Sequence, residues 1–437
     1  MNSKIRTDET CSTGDQHLHS PEFRALGVLE QVVMRGQVRQ TSERLSNLWS
    51  RKFRRRVGSF PLRWASPESI ADSSVPDLVN PYGWGVSQRQ GTISIYDLRR
   101  LDPTRTPDQF RQAVQAGWAV IRPDARASTD DEVLLRCAAS VGTPAVESER
   151  VSSLCTNRMM WEQESFRQWS EALDRFRLEP HWNEVGRPAV TITLPTRRPE
   201  LLDLWTAVIA AQTYRPLQVV VGLHGSHWSA DHEDRISQVL ADADVTVVFA
   251  RVGDDAVLGD VLNATVARAD GDVLVKWDDD DLYSTNHVMD LLRVRHYSGA
   301  TIVGKAAEFV YLQGADRTIR RDQGPVELFS PTLAGGTLAI DRRDIVEVGG
   351  WGPLRQGVDA GIISRVRRSG GTSYRTAGFG YLMIRRANSS SHTWQVDTQN
   401  LASSASASSA GLATDWAMID VPELVTKSVA RGATDGQ

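Results

Sequence analysis

From residue 188 onward, apolar β-branched runs alternate with stretches of helical spacing. Ala189-Val190-Thr191-Ile192-Thr193-Leu194 predicts a strand that ends at Pro195-Thr196-Arg197. A helix follows over 199–212, with Pro199 at a favourable first-turn position. Residues 217–221 predict a second strand, 231–240 a second helix and 245–249 a third strand. A helix over 258–269 then leads to a fourth strand, Val273-Leu274-Val275-Lys276-Trp277, which runs straight into Asp278-Asp279-Asp280-Asp281. This alternation predicts an α/β class: a mainly parallel sheet with helices on both faces. Ligands of such sheets bind outside the carboxyl ends of the strands. Three of the four predicted strand ends carry polar groups: Thr196-Arg197, His224-Gly225-Ser226 and the aspartates. Beyond them the pattern predicts a helix over 286–297, a strand over 301–312, a turn at Gly335-Gly336 and a short strand over 337–340. A helix over 358–368 and a strand over 381–384, leading to Ser391-His392-Thr393-Trp394, complete it.

The chain before residue 188 is patterned differently. The first twenty residues are polar, and 21–48 has helical spacing. The stretch Arg51-Lys52-Phe53-Arg54-Arg55-Arg56 follows, flanked by Trp49, Phe60 and Trp64. It reads as a solvated basic segment beside a linker; peripheral contact with an anionic membrane surface is the second reading. Prolines and serines over 61–81 suggest a poorly structured connection. Residues 91–186 read as a small mixed α/β unit with strands near 92–96 and 118–121 and a helix over 158–178. They carry no chemical motif. The expected organisation is therefore a polar and basic segment over 1–90, partly helical or disordered, an accessory unit over 91–186, a main domain over 187–400, and a flexible tail over 401–437. The tail includes the Ser/Ala tract of residues 403–409.

Length and composition agree with this division. A chain of 437 residues is too long for one core of ordinary size. Hydrophobic residues at 41% and charged residues at 24% describe a globular protein. A net charge of -4 gives no general attraction to nucleic acid. Cys11, Cys137 and Cys155 are odd in number and widely spaced, which argues against a disulfide framework and for a reducing compartment. No apolar run has the length of a signal peptide's core or of a membrane helix, so a cytoplasmic placement is expected, peripheral at the inner membrane surface under the second reading of the basic stretch.

The aspartate run carries the chemistry. Two like charges about 4 Å apart repel by 4 kcal/mol or so at an effective dielectric of 20. A divalent cation removes that cost, and hard oxygen ligands select magnesium, manganese or calcium. If the strand continues into the run, Asp278 and Asp280 share a face. One or two carboxylates leave the remaining positions of the ion to water and substrate phosphates, which suits a diphosphate leaving group. A solvated acidic turn capping the next helix is the bland alternative.

In order along the chain, Pro195-Thr196-Arg197, Pro199-Glu200-Leu201-Leu202, Ala211-Gln212-Thr213-Tyr214, Leu262-Asn263-Ala264, Ala269-Asp270-Gly271-Asp272 and Asp278-Asp279-Asp280-Asp281 resemble the family 2 glycosyltransferases, which have the GT-A fold. The resemblance covers residues 188–394. It implies a nucleotide-binding sandwich and an inverting, divalent-metal-dependent transfer of a sugar from a nucleotide-sugar donor to a hydroxyl of a glycan, lipid or small molecule. It implies Mn2+ or Mg2+ as cofactor, with Asp278, Asp280 and His392 on the metal. Pro195, Thr196, Arg197, His224, Gly225, Asn263, Asp278 and Asp279 would line the nucleotide sugar. Asp281, Gly336 and Trp351 would lie by the donor or acceptor sugar. After Gly349-Gly350-Trp351 the family carries an acidic pair; here Val358-Asp359 keeps only the second acid, and Asp359 is the implied general base. A second departure is Leu223-His224-Gly225-Ser226, where the family usually has Asp-Asp-Gly-Ser with an acid on the nucleobase. A UDP-sugar is therefore an expectation only.

Two other readings compete. A nucleotidyltransferase would open with a glycine-rich basic loop, and Pro195-Thr196-Arg197-Arg198-Pro199 has no glycine. A non-catalytic nucleotide- or glycan-binding module is kept in play by the two missing acids.

Overall fold

In this computed structural model, the described residues are 95–97, 119–121, 145–146, 158–174, 178–386, 403, 405–422, 425–426 and 429. The expected helix over 21–48, the basic stretch at 51–56, the linker at 61–81 and His392 lie outside them. The chain divides into two compact units, Met1–Ala172 and Leu173–Gln437.

In the first unit, strands β1 (Ile95–Asp97), β2 (Ala119–Ile121) and β3 (Ala145–Val146) form a small parallel sheet. The helix α1 (Arg158–Leu173) ends at the boundary.

The second unit opens with α2 (Glu179–Val185) and then follows the predicted alternation closely. Its elements are β4 (Val190–Thr196), α3 (Leu202–Ala210), β5 (Leu217–His224), α4 (Ala230–Asp242), β6 (Thr246–Val252), α5 (Leu258–Val266) and β7 (Val273–Lys276). Then come β8 (Leu282–Tyr283), α6 (His287–Ser298), β9 (Ile302–Lys305), β10 (Phe309–Leu312), β11 (Arg317–Arg321) and β12 (Leu328–Phe329). The last elements are β13 (Ala339–Asp341), α7 (Arg342–Glu347), α8 (Val358–Arg368), β14 (Ser373–Thr376), β15 (Tyr381–Arg385) and β16 (Ala405–Ala410).

An eight-stranded sheet has the order β12-β14-β9-β13-β7-β4-β5-β6. Its half built from β7, β4, β5 and β6 is parallel, and β13 joins antiparallel to β7. All eight positions of β5 are buried, as a central strand covered on both faces requires. Full burial of residues such as Val219, Val220 and Val221 contributes about 2 kcal/mol each. At Gly222 a Cβ would stand 2.6 Å from Val261, so the glycine is what lets α5 lie this close to the sheet. A core of Val220, Leu262, Leu274, Ile340, Trp351 and Ile362 ties α5 and α8 to it.

A second sheet, β16-β11-β10-β15-β8, departs from expectation in two places. The single strand expected over 301–312 is broken into β9 and β10, which belong to different sheets. The Ser/Ala tract expected to be flexible is β16, paired antiparallel with β11. Small side chains alternate between half-buried and exposed there, so backbone pairing rather than core burial holds the strand. Among the described residues no helix is long and apolar enough to cross a membrane.

Candidate functional site

The chain runs outward from β4 through β5 to β6 and then returns to the other side of β4 as β7. The strand order reverses between β4 and β7, and open α/β sheets bind ligands beyond the carboxyl ends at such a switch point. The residues that leave those two ends, 196–198 and 277–281, meet there.

The strand does not continue into the aspartate run, as a shared face for Asp278 and Asp280 would need. β7 stops at Lys276, and residues 279–281 form a turn. Aromatic packing under the run explains the stop. Trp277 is fully buried, with its ring centroid 3.9 Å from that of Tyr283, and both pack on His287. The Asp278 N–H donates to the Tyr283 hydroxyl at 2.9 Å, and that hydroxyl donates to the Gly336 carbonyl at 3.0 Å. The chain is thereby turned from the β7 direction into β8, which pairs with β15.

The four carboxylates have separate partners. Lys276, whose side chain is 3% exposed, donates from Nζ to Asp278 Oδ1 at 2.6 Å and lies 3.4 Å from Asp359 Oδ1. Asp278 and Asp359 keep 35% and 32% of their side chains exposed, so both face an opening above a covered cation. Burial alone would lower the Lys276 pKa, but the two carboxylates outweigh it and hold the ammonium above its ordinary value. Burial raises the Asp359 carboxyl above the usual range, against the pull of Lys276. Asp359 sits in the first turn of α8, where the helix dipole also favours its charge.

Arg198, beyond the end of β4, bridges the next two. It donates to both oxygens of Asp279, and its Nη1 donates to Asp280 at 2.7 Å. Thr196 donates to Asp279 Oδ2 at 2.6 Å. Burial pushes the Asp279 carboxyl up, and Arg198 opposes that shift. Arg386 Nε lies 3.9 Å from Asp280. The oxygens of Asp281, expected by a sugar, accept from the Tyr381 hydroxyl at 2.7 Å and the Ile384 N–H at 2.9 Å. Asp281 is buried and its pKa is driven well up, first by burial and then by the neighbouring aspartates.

The other expected residues fall into three groups. Pro195 lies in β4, half-buried, one residue before Thr196. Arg197 Nε lies 2.8 Å from His224 Nδ1, and Arg197 Nη2 donates to the Asp254 carbonyl at 3.0 Å. Burial and the Arg197 charge both lower the His224 pKa, so the ring is neutral at pH 7. Gly225 takes φ +104°, which only glycine adopts readily, and the Ser226 N–H donates to Asp254 at 3.2 Å. Asn263, expected to line the nucleotide sugar, and Trp351, expected by the donor or acceptor sugar, bind each other: Asn263 accepts from the Trp351 N–H at 2.7 Å and donates to its carbonyl at 2.9 Å. Trp351 is 3% exposed and packs in the core. Gly336, by contrast, is at the site, where a Cβ would stand 2.7 Å from Asp278 Oδ2; at Gly335 one would stand 2.1 Å from Asp359 Oδ2.

Sequence reading missed Lys276 and Arg198. The available signal was a lysine closing an otherwise apolar strand directly before four acids.

Among the described residues no group of three or more His, Cys, Asp or Glu gathers as a protein cage for a metal would require. The donor chemistry still fits a hard cation held largely by water and phosphate oxygens. Asp278 is partly exposed at the crevice, and Asp280 is the next candidate ligand in the turn.

No protein-family model matches the sequence, and no curated protein matches it. Among solved structures the chain is similar to a mannosyltransferase from Pyrobaculum calidifontis in complex with GDP-Man and Mn2+, at 16% identity and a TM-score of 0.36, over 46% of this chain and 57% of that one. It is similar to S. aureus TarS 1-349 in complex with UDP-GlcNAc, at 14% identity and a TM-score of 0.34, over 45% and 59%. It is also similar to GalNAc-T7 with UDP, GalNAc and Mn2+, at 16% identity and a TM-score of 0.36, over 46% and 44%. The chain thus spans less than two thirds of the length of each of these proteins.

Proposed function

We propose that the second unit is an inverting glycosyltransferase that moves a sugar from a nucleotide-sugar donor to a hydroxyl acceptor. One observation carries this reading: Asp278 and Asp359, from the end of β7 and the start of α8, converge on one buried ammonium with about a third of each side chain open. One carboxylate then serves the donor and the other the acceptor.

Asp359 takes the proton of the acceptor hydroxyl as that oxygen forms its bond to the anomeric carbon. The bond from that carbon to the diphosphate breaks, its electron pair leaves with the nucleoside diphosphate, and the configuration inverts. Asp278 and Asp280 would hold a divalent cation, which supplies neutralisation of the diphosphate charge. Arg197, just past β4, and the neutral His224, the last residue of β5, would face the nucleoside end. The family 2 motifs support this assignment of halves, and the position at the switch point supports a nucleotide ligand.

The test is release of nucleoside diphosphate from UDP-glucose, UDP-GlcNAc and GDP-mannose in the presence of Mn2+. Turnover of one donor, reduced about a hundredfold or more in kcat by Asp359→Asn, is expected for loss of a general base. An Asp359→Asn variant as fast as wild type would remove Asp359 from the chemistry.

A further inference from the structure

We infer that Lys276 is a positioning residue that locks the donor-side and acceptor-side carboxylates into one rigid unit; this inference rests on the functional reading above. Lys276 is the last residue of β7, and its side chain is almost fully covered. An ammonium in such a place is costly unless charged partners surround it. Its partners come from separate parts of the chain: Asp278 in the turn that follows, and Asp359 in α8.

The two carboxylates are held alike. Asp278 turns Oδ1 to Lys276 at 2.6 Å, and its Oδ2 lies against Gly336. Asp359 turns Oδ1 to Lys276 at 3.4 Å, and its Oδ2 lies against Gly335. Asp359 Oδ1 is sealed from solvent and meets no closer hydrogen-bond donor, so the Lys276 ammonium is the cation that fixes its direction. Each carboxylate is gripped between one shared cation and one of two consecutive glycines. Arg198 compensates the other two carboxylates, the buried Asp279 and Asp280, which leaves Lys276 to Asp278 and Asp359.

Such a clamp sets the separation of the two half-sites. A general base misplaced by about 1 Å loses much of its effect, and a displaced Asp278 loosens the donor. Lys276 therefore acts on kcat through Asp359 and on donor KM through Asp278, and touches neither reacting atom.

The experiment uses the full chain carrying Lys276→Met, close in length but uncharged, and Lys276→Arg, which restores the charge. The donors are UDP-glucose, UDP-GlcNAc and GDP-mannose with Mn2+. The expected result is a kcat lower by about tenfold or more in Lys276→Met, a donor KM raised by up to about tenfold because Asp278 loses the same partner, and partial recovery of both in Lys276→Arg. Lys276→Met should cost less kcat in the Asp359→Asn background than in wild type, because the part of its effect that runs through Asp359 is already lost. Independent, multiplying losses in the double variant, or an unchanged kcat in Lys276→Met, would overturn the proposal. Lys276→Gln carries the same test where the methionine variant does not fold. A crystal structure of the variant reads the positioning without any substrate: Asp359 should swing away from Asp278 over an unchanged backbone, and carboxylates left in place would refute the clamp. Wild-type protein that releases no nucleoside diphosphate would count against the functional reading, and the crystallographic result would still decide the role of Lys276.

Discussion

The side-chain amide of Asn263 holds both main-chain polar groups of Trp351, accepting from its N–H at 2.7 Å and donating to its carbonyl at 2.9 Å. This joins α5 to the Gly349-Gly350-Trp351 turn that precedes α8, and so it supports the helix that presents Asp359. Gly350, at φ +68°, has no room for a Cβ, which would meet Asn263 Oδ1 at 2.5 Å. Asn263→Ala leaves two main-chain groups without their partner. It should lower unfolding stability by about 2 to 4 kcal/mol, read by denaturant titration. A variant as stable as wild type, with nucleotide binding lost, would return Asn263 to the ligand.

Arg198 is the counter-charge of a buried carboxylate. Arg198→Ala strands Asp279, and breaking a buried pair from one side costs about 3 kcal/mol or more. Asp279 is already pushed toward its protonated form by burial, and Arg198 is what opposes that. With the arginine gone, the folded state should hold a proton at Asp279 that the unfolded chain releases. The variant should therefore regain stability as pH falls from neutral toward 5, a trend that melting curves across pH will show or refute.

The opposite edge of the sheet carries a second titrating group. Glu327 is buried, accepting from Tyr297, Thr376 and the Ala377 N–H, and burial raises its pKa from 4.5 to about 7. Its native state binds a proton more tightly than the unfolded state. Stability is greatest below 4.5 for this group and falls as pH rises toward 7, by about 3 kcal/mol in all. Glu327→Gln should flatten that slope, and an unaltered pH dependence would contradict the assignment.

Gly336→Ala tests the packing at the site. The added methyl would lie 2.7 Å from Asp278 Oδ2 and 2.9 Å from the Tyr283 hydroxyl, so Asp278 must move. Nucleoside diphosphate binding should weaken about tenfold or more, with little change in melting temperature. Unchanged affinity would show that Asp278 is not at the ligand.

The parallel half of the sheet was legible because β4 to β7 are apolar, β-branched and separated by amphipathic helices, and their observed limits fall within a few residues of the pattern. The aspartate run was legible as a site but not as a shape. What turns it is Tyr283 and Tyr381, the latter a hundred residues away, and periodicity carries no trace of such a contact. For the same reason the contacts of Asp281 with Tyr381 and Ile384 left no trace in the sequence pattern. The strand β16 was illegible because alternation of serine and alanine has no hydrophobic signal, and only pairing with β11 makes it a strand. Arg197 drew notice as the end of a motif, while its neighbour Arg198 is the residue that reaches the aspartates.

The central claim is that Asp278 and its neighbours hold a nucleoside diphosphate through a divalent cation. Calorimetric titration of the full chain with UDP and GDP, with and without Mn2+, tests it most directly. Binding of one of them that requires Mn2+, and its loss in a folded Asp278→Asn variant, is the predicted result. Absence of binding under every condition, or binding indifferent to both the cation and Asp278, would contradict it.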